Sequence, residues 1–186
     1  MSNAFCGNPF GIFLDAPGIT AYTGTWAALV KVKPTARSYV MAAVYNGDPT
    51  IRANKYHGVN FSLHGPAFAI AEVGYQINGL PGDSQLLGNY KLGAWYDDAQ
   101  FTNFQSSAKT RGSWGFYGLF DQVLVPLGSP GSNRGFGVFG SITVAPDSEI
   151  QQLPLFITAG FSARGMFDTR PRDAVSFGVA SGFSRQ

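Results

Sequence analysis

The stretch NRGFGVFGSITVAPD, residues 133–147, decides how the chain is read. It contains Gly135-Phe136-Gly137-Val138-Phe139-Gly140, which matches the G-x-G-x-x-G pattern of dinucleotide-binding loops. That pattern binds pyrophosphate only where a strand precedes the glycines and a helix follows them. Here a β-branched run, Ser141-Ile142-Thr143-Val144, follows and ends in the turn signal Ala145-Pro146-Asp147. The glycines therefore lie inside a strand, where Gly marks a bulge or the close approach of a neighbouring strand. Side chains alternate across a strand. Phe136, Val138, Ile142 and Val144 thus face one way, and Gly137, Ser141 and Thr143 the other.

The same alternation recurs along the chain. Residues 67–78 place Ala69, Ala71, Val73, Tyr75 and Ile77 on one face, against Phe68, Ile70, Glu72, Gly74, Gln76 and Asn78. Residues 153–166 place Leu155, Ile157, Ala159 and Phe161 against Phe156, Thr158, Gly160, Ser162 and Arg164. In 25–33, Trp26, Ala28, Val30 and Val32 oppose Thr25, Ala27, Lys31 and Lys33. Helical periodicity is almost absent, and Gly and Pro recur too often for ordinary helices. The pattern predicts nine strands, at about 25–33, 38–46, 58–64, 67–78, 89–98, 112–125, 134–144, 153–166 and 174–184. Most approach the roughly 9–11 residues that cross a bilayer as a tilted strand. They exceed the five or six or so usual in soluble sheets.

Composition narrows the class. The chain has 186 residues, enough for one domain, taken as 1–186. Gly numbers 24 and charged residues are 13%, against roughly a quarter charged in ordinary globular chains. With aromatics at 15%, the chain is not disordered, since disorder requires few aromatics and high charge. A net charge of +2 with no basic cluster gives no ground for a nucleic-acid partner. Cys6 has no disulfide or metal partner and is expected to pack as a small residue. His57 and His64 fit no zinc spacing and are expected in turns or loops, so neither metal nor cofactor is called for. No run of about 20 apolar residues forms a spanning helix. The N-terminus shows no basic region followed by an apolar run, so it does not read as a signal peptide.

The connections sort into two kinds. Residues 34–37, 64–66 and 145–149 are compact turns, and 99–111 falls on their side despite its length. Residues 47–57, 79–88, 126–133 and 167–173 are longer and rich in Gly, Pro, Asn and Asp. Short turns at one end and longer loops at the other are the mark of a transmembrane β-barrel. Trp26, Tyr45, Tyr75 and Tyr90 are expected near the long-loop ends, and Tyr39, Phe68, Tyr96 and Trp114 near the turn ends, as two interfacial girdles. Periodicity by itself allows two solvents for the apolar faces. They meet lipid in a porin, or each other in a soluble barrel.

Several segments are recognisable. Phe5-Cys6-Gly7-Asn8-Pro9, Ala27-Ala28-Leu29-Val30-Lys31-Val32-Lys33-Pro34-Thr35, Ala43-Val44-Tyr45-Asn46-Gly47-Asp48-Pro49 and Gly115-Phe116-Tyr117-Gly118-Leu119-Phe120-Asp121-Gln122 are four of them. Gly137-Val138-Phe139-Gly140 with Val144-Ala145-Pro146-Asp147, and Arg170-Pro171-Arg172-Asp173, complete the set. Together they resemble the carbohydrate-selective porin family (OprB type) of Gram-negative outer membranes, over nearly the whole chain. The resemblance implies an all-β, antiparallel up-and-down transmembrane barrel of sixteen strands. It implies passive diffusion of glucose-like sugars into the periplasm, an outer-membrane location and contact with outer-membrane lipid, with no enzyme activity and no cofactor. It leaves a homo-oligomer (trimer) open. Against the family pattern the chain lacks a signal peptide, the first strands, and the last strands with their terminal aromatic. It is therefore expected to be a piece incomplete at both ends. A soluble β-barrel ligand-binding module and a non-functional truncated remnant are the alternatives.

A sugar path needs hydrogen-bonding groups and aromatic faces, and a pore selects by its lining and its charge rings. The polar faces offer Lys31, Glu72, Gln76, Lys91, Trp95, Asp97, Asp121 and Arg164 as pore-lining candidates. Arg52, Lys55, Arg134, Arg170 and Arg172, against Asp48, Asp168 and Asp173, are the loop candidates for a constriction. Catalysis finds no such support. Asp97 and Asp98 are adjacent on a strand and point to opposite faces, so they cannot flank one glycosidic bond. Ser62 beside His64 has no third partner and no G-x-S-x-G elbow. The Asn60-Phe61-Ser62 sequon lies in an expected strand. The lipid-facing reading predicts that the chain stays with detergent on phase partition. A chain that remains in solution without detergent would favour the soluble module.

Overall fold

The computed structural model describes residues 15, 26–47, 65–80, 82–83, 86–128, 132 and 134–184. Eight strands make up one sheet: β1 (Ala27–Thr35), β2 (Ser38–Asn46), β3 (Ala67–Ile77), β4 (Gly88–Thr102), β5 (Lys109–Leu127), β6 (Arg134–Val144), β7 (Leu155–Arg164) and β8 (Ala174–Phe183). Each pairs antiparallel with its neighbours in chain order, and the sheet is open, with β1 and β8 at its edges. It is an up-and-down arrangement, as the alternation predicts.

Among the described residues there are eight strands where nine were expected over the chain. The expected strand 58–64 lies outside the described residues. β2 pairs directly with β3 from Ser38↔Tyr75 to Asn46↔Ala67. In a sheet where every strand reverses direction, one strand fewer moves earlier connections to the opposite end. The tight 36–37 turn therefore shares an end with 78–87, 128–133 and 165–173, and 47–66 shares the other with 103–108 and 145–154. Short turns and long loops are not segregated as expected.

Two strands run further than their alternation suggests. β4 continues to Thr102 and β5 starts at Lys109, so the expected 99–111 connection shrinks to 103–108. A bidentate pair from Arg111 to Asp98, 2.8 and 2.6 Å, ties the extension together beyond a register shift between Asp97 and Gln100. Asn103 Oδ1 then accepts the backbone N–H groups of Gln105 and Ser106 and closes the turn. The glycine strand itself stays regular. The bulge lies opposite it, in β5 between Val123 and Val125.

The two faces of the sheet differ. Rows of paired residues such as Val32↔Val40↔Val73↔Leu92 and Gly118↔Ile142↔Ile157 make one face predominantly apolar, with Gln122 and Ser181 among its few polar members. That face is the exposed one: Val30 and Leu92 are each 66% exposed. The opposite, mixed face is covered only in part. Phe68, Asp97, Ser113 and Thr143 are fully buried there, beside Trp95 and Tyr117. This inverts the arrangement of a soluble protein, whose sheets bury the apolar side. The soluble-module alternative predicted an apolar core at the side that is exposed.

Gly and aromatic residues pair across the ladder. The rings of Tyr39, Trp95, Tyr117 and Phe139 on the mixed face occupy the space that a Cβ would take at Gly74, Gly115, Gly93 and Gly160. On the apolar face, Phe120 covers Gly140 in the same way. In every case the two residues are direct register partners. A large ring covering a facing glycine restores the packing that the glycine forgoes. At Gly137 a Cβ would instead meet the Gln122 carbonyl oxygen at 2.7 Å, the close approach expected of this strand.

The aromatic girdles regroup. Apolar-face aromatics at the 36–37 end are Tyr75, Tyr90 stacked on Phe120, and the contact chain Phe136–Phe161–Phe177. At the other end stand Trp26, Tyr96 and Trp114, the last edge-on to Phe116. Tyr39, Tyr45 and Phe68 fall on the mixed face, because each shares its row with residues of that side.

Two predictions follow from the packing. Gly115→Ala forces the Trp95 ring aside and is expected to cost about 1–3 kcal/mol in urea unfolding of the detergent-folded chain. Gly118→Ala, where the nearest side-chain atoms lie 3.3 and 3.6 Å from a Cβ, is expected to be near neutral. Val73→Arg on the apolar face is expected to cost about 2–4 kcal/mol in lipid, and Gln76→Arg on the mixed face markedly less.

Candidate functional site

The mixed face carries the chemistry. Register places Lys31, Glu72, Gln76, Lys91, Trp95, Asp97, Asp121 and Arg164 all on it. They do so because each sits at an even spacing from its neighbours within a strand and opposite a mixed-face partner on the next. Three rows hold most of them: Lys31↔Met41↔Glu72↔Gly93↔Tyr117, Gly74↔Lys91↔Leu119 and Gln76↔Asn89↔Asp121↔Phe139.

They differ in access. Lys31, Lys91 and Arg164 are exposed, and Glu72, Gln76 and Asp121 are half-buried. Trp95 and Asp97 are buried. Asp97 Oδ1 accepts the Ala99 N–H at 2.9 Å, and the adjacent Asp98 is held by Arg111, so the two carboxylates do not converge. Gln151, from the 145–154 connection, donates to Ser113 and brings that connection onto the mixed face. Leu153 N–H donates to Asp15 at 3.1 Å.

Glu72 is the centre of a network. Its two oxygens accept from the hydroxyls of Tyr39 at 2.5 Å and Tyr117 at 2.8 Å. The Lys31 ammonium lies 4.0 Å from the centre of the Tyr39 ring, a cation–π distance. Asn89 donates to Asp121 at 2.8 Å. The sequence reading assigned Tyr39 to a girdle and left Tyr117 aside. Alternation from Glu72 was a signal for their shared face, but the partnership depends on register across four strands. Lys33 and Arg37 also went unassigned.

The loop candidates separate. Asp48, Arg52 and Lys55 lie outside the described residues, as do Cys6, His57, His64 and the sequon. Arg134 is the first residue of β6 and turns to the 165–173 connection, donating to the Gly165 carbonyl and to Asp168, both at 2.8 Å. Arg170 pairs with Asp173 at 2.6 Å inside that same connection, and Arg172 is exposed beside them. No cluster of three or more metal-ligating side chains occurs among the described residues.

Comparison with known proteins gives the same architecture. Porin B of Pseudomonas aeruginosa is 26% identical over 191 residues, covering 95% of this chain and 41% of that protein. The high-pH structure of Pseudomonas putida OprB superposes with a TM-score of 0.70 at 24% identity, covering 84% of this chain and 39% of that one. The low-pH structure gives 0.54 at 23%, covering 83% and 39%. The chain thus spans about two-fifths of the length of these relatives. The model of the carbohydrate-selective porin, OprB family, matches residues 1–183, nearly the whole chain, and the chain belongs to that family.

Proposed function

We propose that this sheet is part of the wall of an outer-membrane channel through which sugars diffuse passively. The exposure of its apolar face carries the reading. A predominantly apolar exposed surface of this extent belongs against lipid, and aromatic residues at both ends of it suit the two bilayer interfaces. The mixed face then lines the water path. Lys31, Gln76, Lys91, Asp121 and Arg164 offer donors and acceptors to sugar hydroxyls, and the Glu72 network fixes the wall behind them.

The ladder edges of β1 and β8 require further strands against them, which other copies of the chain can supply in the membrane. Each backbone group left unpaired in lipid costs several kcal/mol. The channel is a passage, so selection rests on lining groups and width, with no bond made or broken.

Liposomes holding the chain are expected to swell under a glucose gradient. Absence of swelling, together with recovery of the chain in the aqueous phase without detergent, would sink the reading. Glu72→Ala strands two tyrosine hydroxyls and is expected to lower unfolding stability by about 1–3 kcal/mol and to change the swelling rate. Val73→Ala, its neighbour on the apolar face, is expected to leave the swelling rate unchanged.

A further inference from the structure

We propose that the cleft at the 36–37 end of the mixed face is a subsite for the anionic group, carboxylate or phosphate, of an acidic sugar. The inference rests on the sugar-channel reading and specifies its solute. Lys31 and Lys33 are two residues apart on β1 and so share the mixed face, and Lys91 joins them from β4. With Arg37 from the adjoining turn, these three line a cleft of about 160 Å³, together with the amides of Gln76 and Asn89.

Four cations line this cleft and no carboxylate does. The nearby acids are committed elsewhere. Glu72 takes the Tyr39 and Tyr117 hydroxyls, and Asp121 takes Asn89. Asp83 takes one terminal nitrogen of Arg37 at 2.5 Å, but the Arg37 Nε is a buried donor without a partner among the described residues. The three lysines form no ion pair among the described residues. Clustered ammonium groups repel one another, and a bound anion relieves that repulsion while accepting charge-assisted hydrogen bonds. A neutral hexose gains none of that Coulombic stabilisation.

The test uses the chain folded in detergent micelles and titrated calorimetrically with glucose, glucose 6-phosphate, gluconate and inorganic phosphate. Lys31→Gln, Lys33→Gln and Lys91→Gln are compared with Lys109→Gln, which lies off the cleft. Circular dichroism confirms that each variant keeps its sheet. Both acidic sugars are expected to bind at least about tenfold more tightly than glucose at low salt, the worth of one charge-assisted hydrogen bond. Each cleft variant is expected to lose about three- to tenfold more affinity for the acidic sugars than for glucose, and Lys109→Gln to lose nothing for either. Equal affinity for glucose and the acidic sugars overturns the subsite and leaves the sugar channel standing. Inorganic phosphate binding as tightly as glucose 6-phosphate overturns assignment to a sugar. An anion preference lost in the cleft variants, without glucose-driven swelling, supports the subsite and removes the channel instead.

Discussion

Everything in this sheet depends on the continuity of its backbone hydrogen bonds. Eight strands in chain order pair neighbour to neighbour through ladders that run nearly the full length of each strand. In hydrocarbon no water is available to satisfy a peptide group, so a surface that is apolar on its outer side stands only if its backbone is paired internally. That pairing lets Val30, Leu92 and their neighbours face outward without cost to the backbone. It also brings side chains distant in sequence into single rows, such as the row that unites Lys31, Glu72 and Tyr117.

The unusual composition follows from how those rows are filled. Bulky rings and glycines are placed directly opposite each other, so that Tyr39, Trp95, Tyr117 and Phe139 reach over Gly74, Gly115, Gly93 and Gly160. The rings cover the mixed face of the sheet where the glycines leave it bare. Glu72 locks two of those rings through their hydroxyls, which leaves the cations at the rim as the accessible charge. Fold stability and the chemical character of the mixed face thus come from the same contacts.

Much of this was legible in the residues. Alternation assigned Lys31, Glu72, Gln76, Lys91 and Arg164 to one face, because side-chain direction in a strand is a local property of period two. The strand at 134–144 was legible for the same reason, since its glycines are followed by β-branched residues where a nucleotide site needs a helix. Strand count was not legible. Residues 58–64 carry an alternating pattern, yet β2 and β3 pair without them. A short alternating run does not reveal whether it joins a ladder. The error propagated to the ends of the sheet, since the parity of the strand count decides which connections share a side. The extension of β4 and β5 past the Asp97–Gln100 irregularity was hidden too, because the Arg111–Asp98 pair joins residues on different strands.

The sequence by itself determined the class of structure: strands with one apolar face, Gly and aromatics in place of charge, and the family to which the chain belongs. The first two are properties of composition and of local period, which need no partner strand, and the family rests on the resemblance of its motifs. Only the tertiary structure decided which face is exposed, which aromatic covers which glycine, and how three lysines and an arginine come to line one cleft. Those outcomes depend on register, and register is set between strands by backbone pairing and by the bulges that shift it.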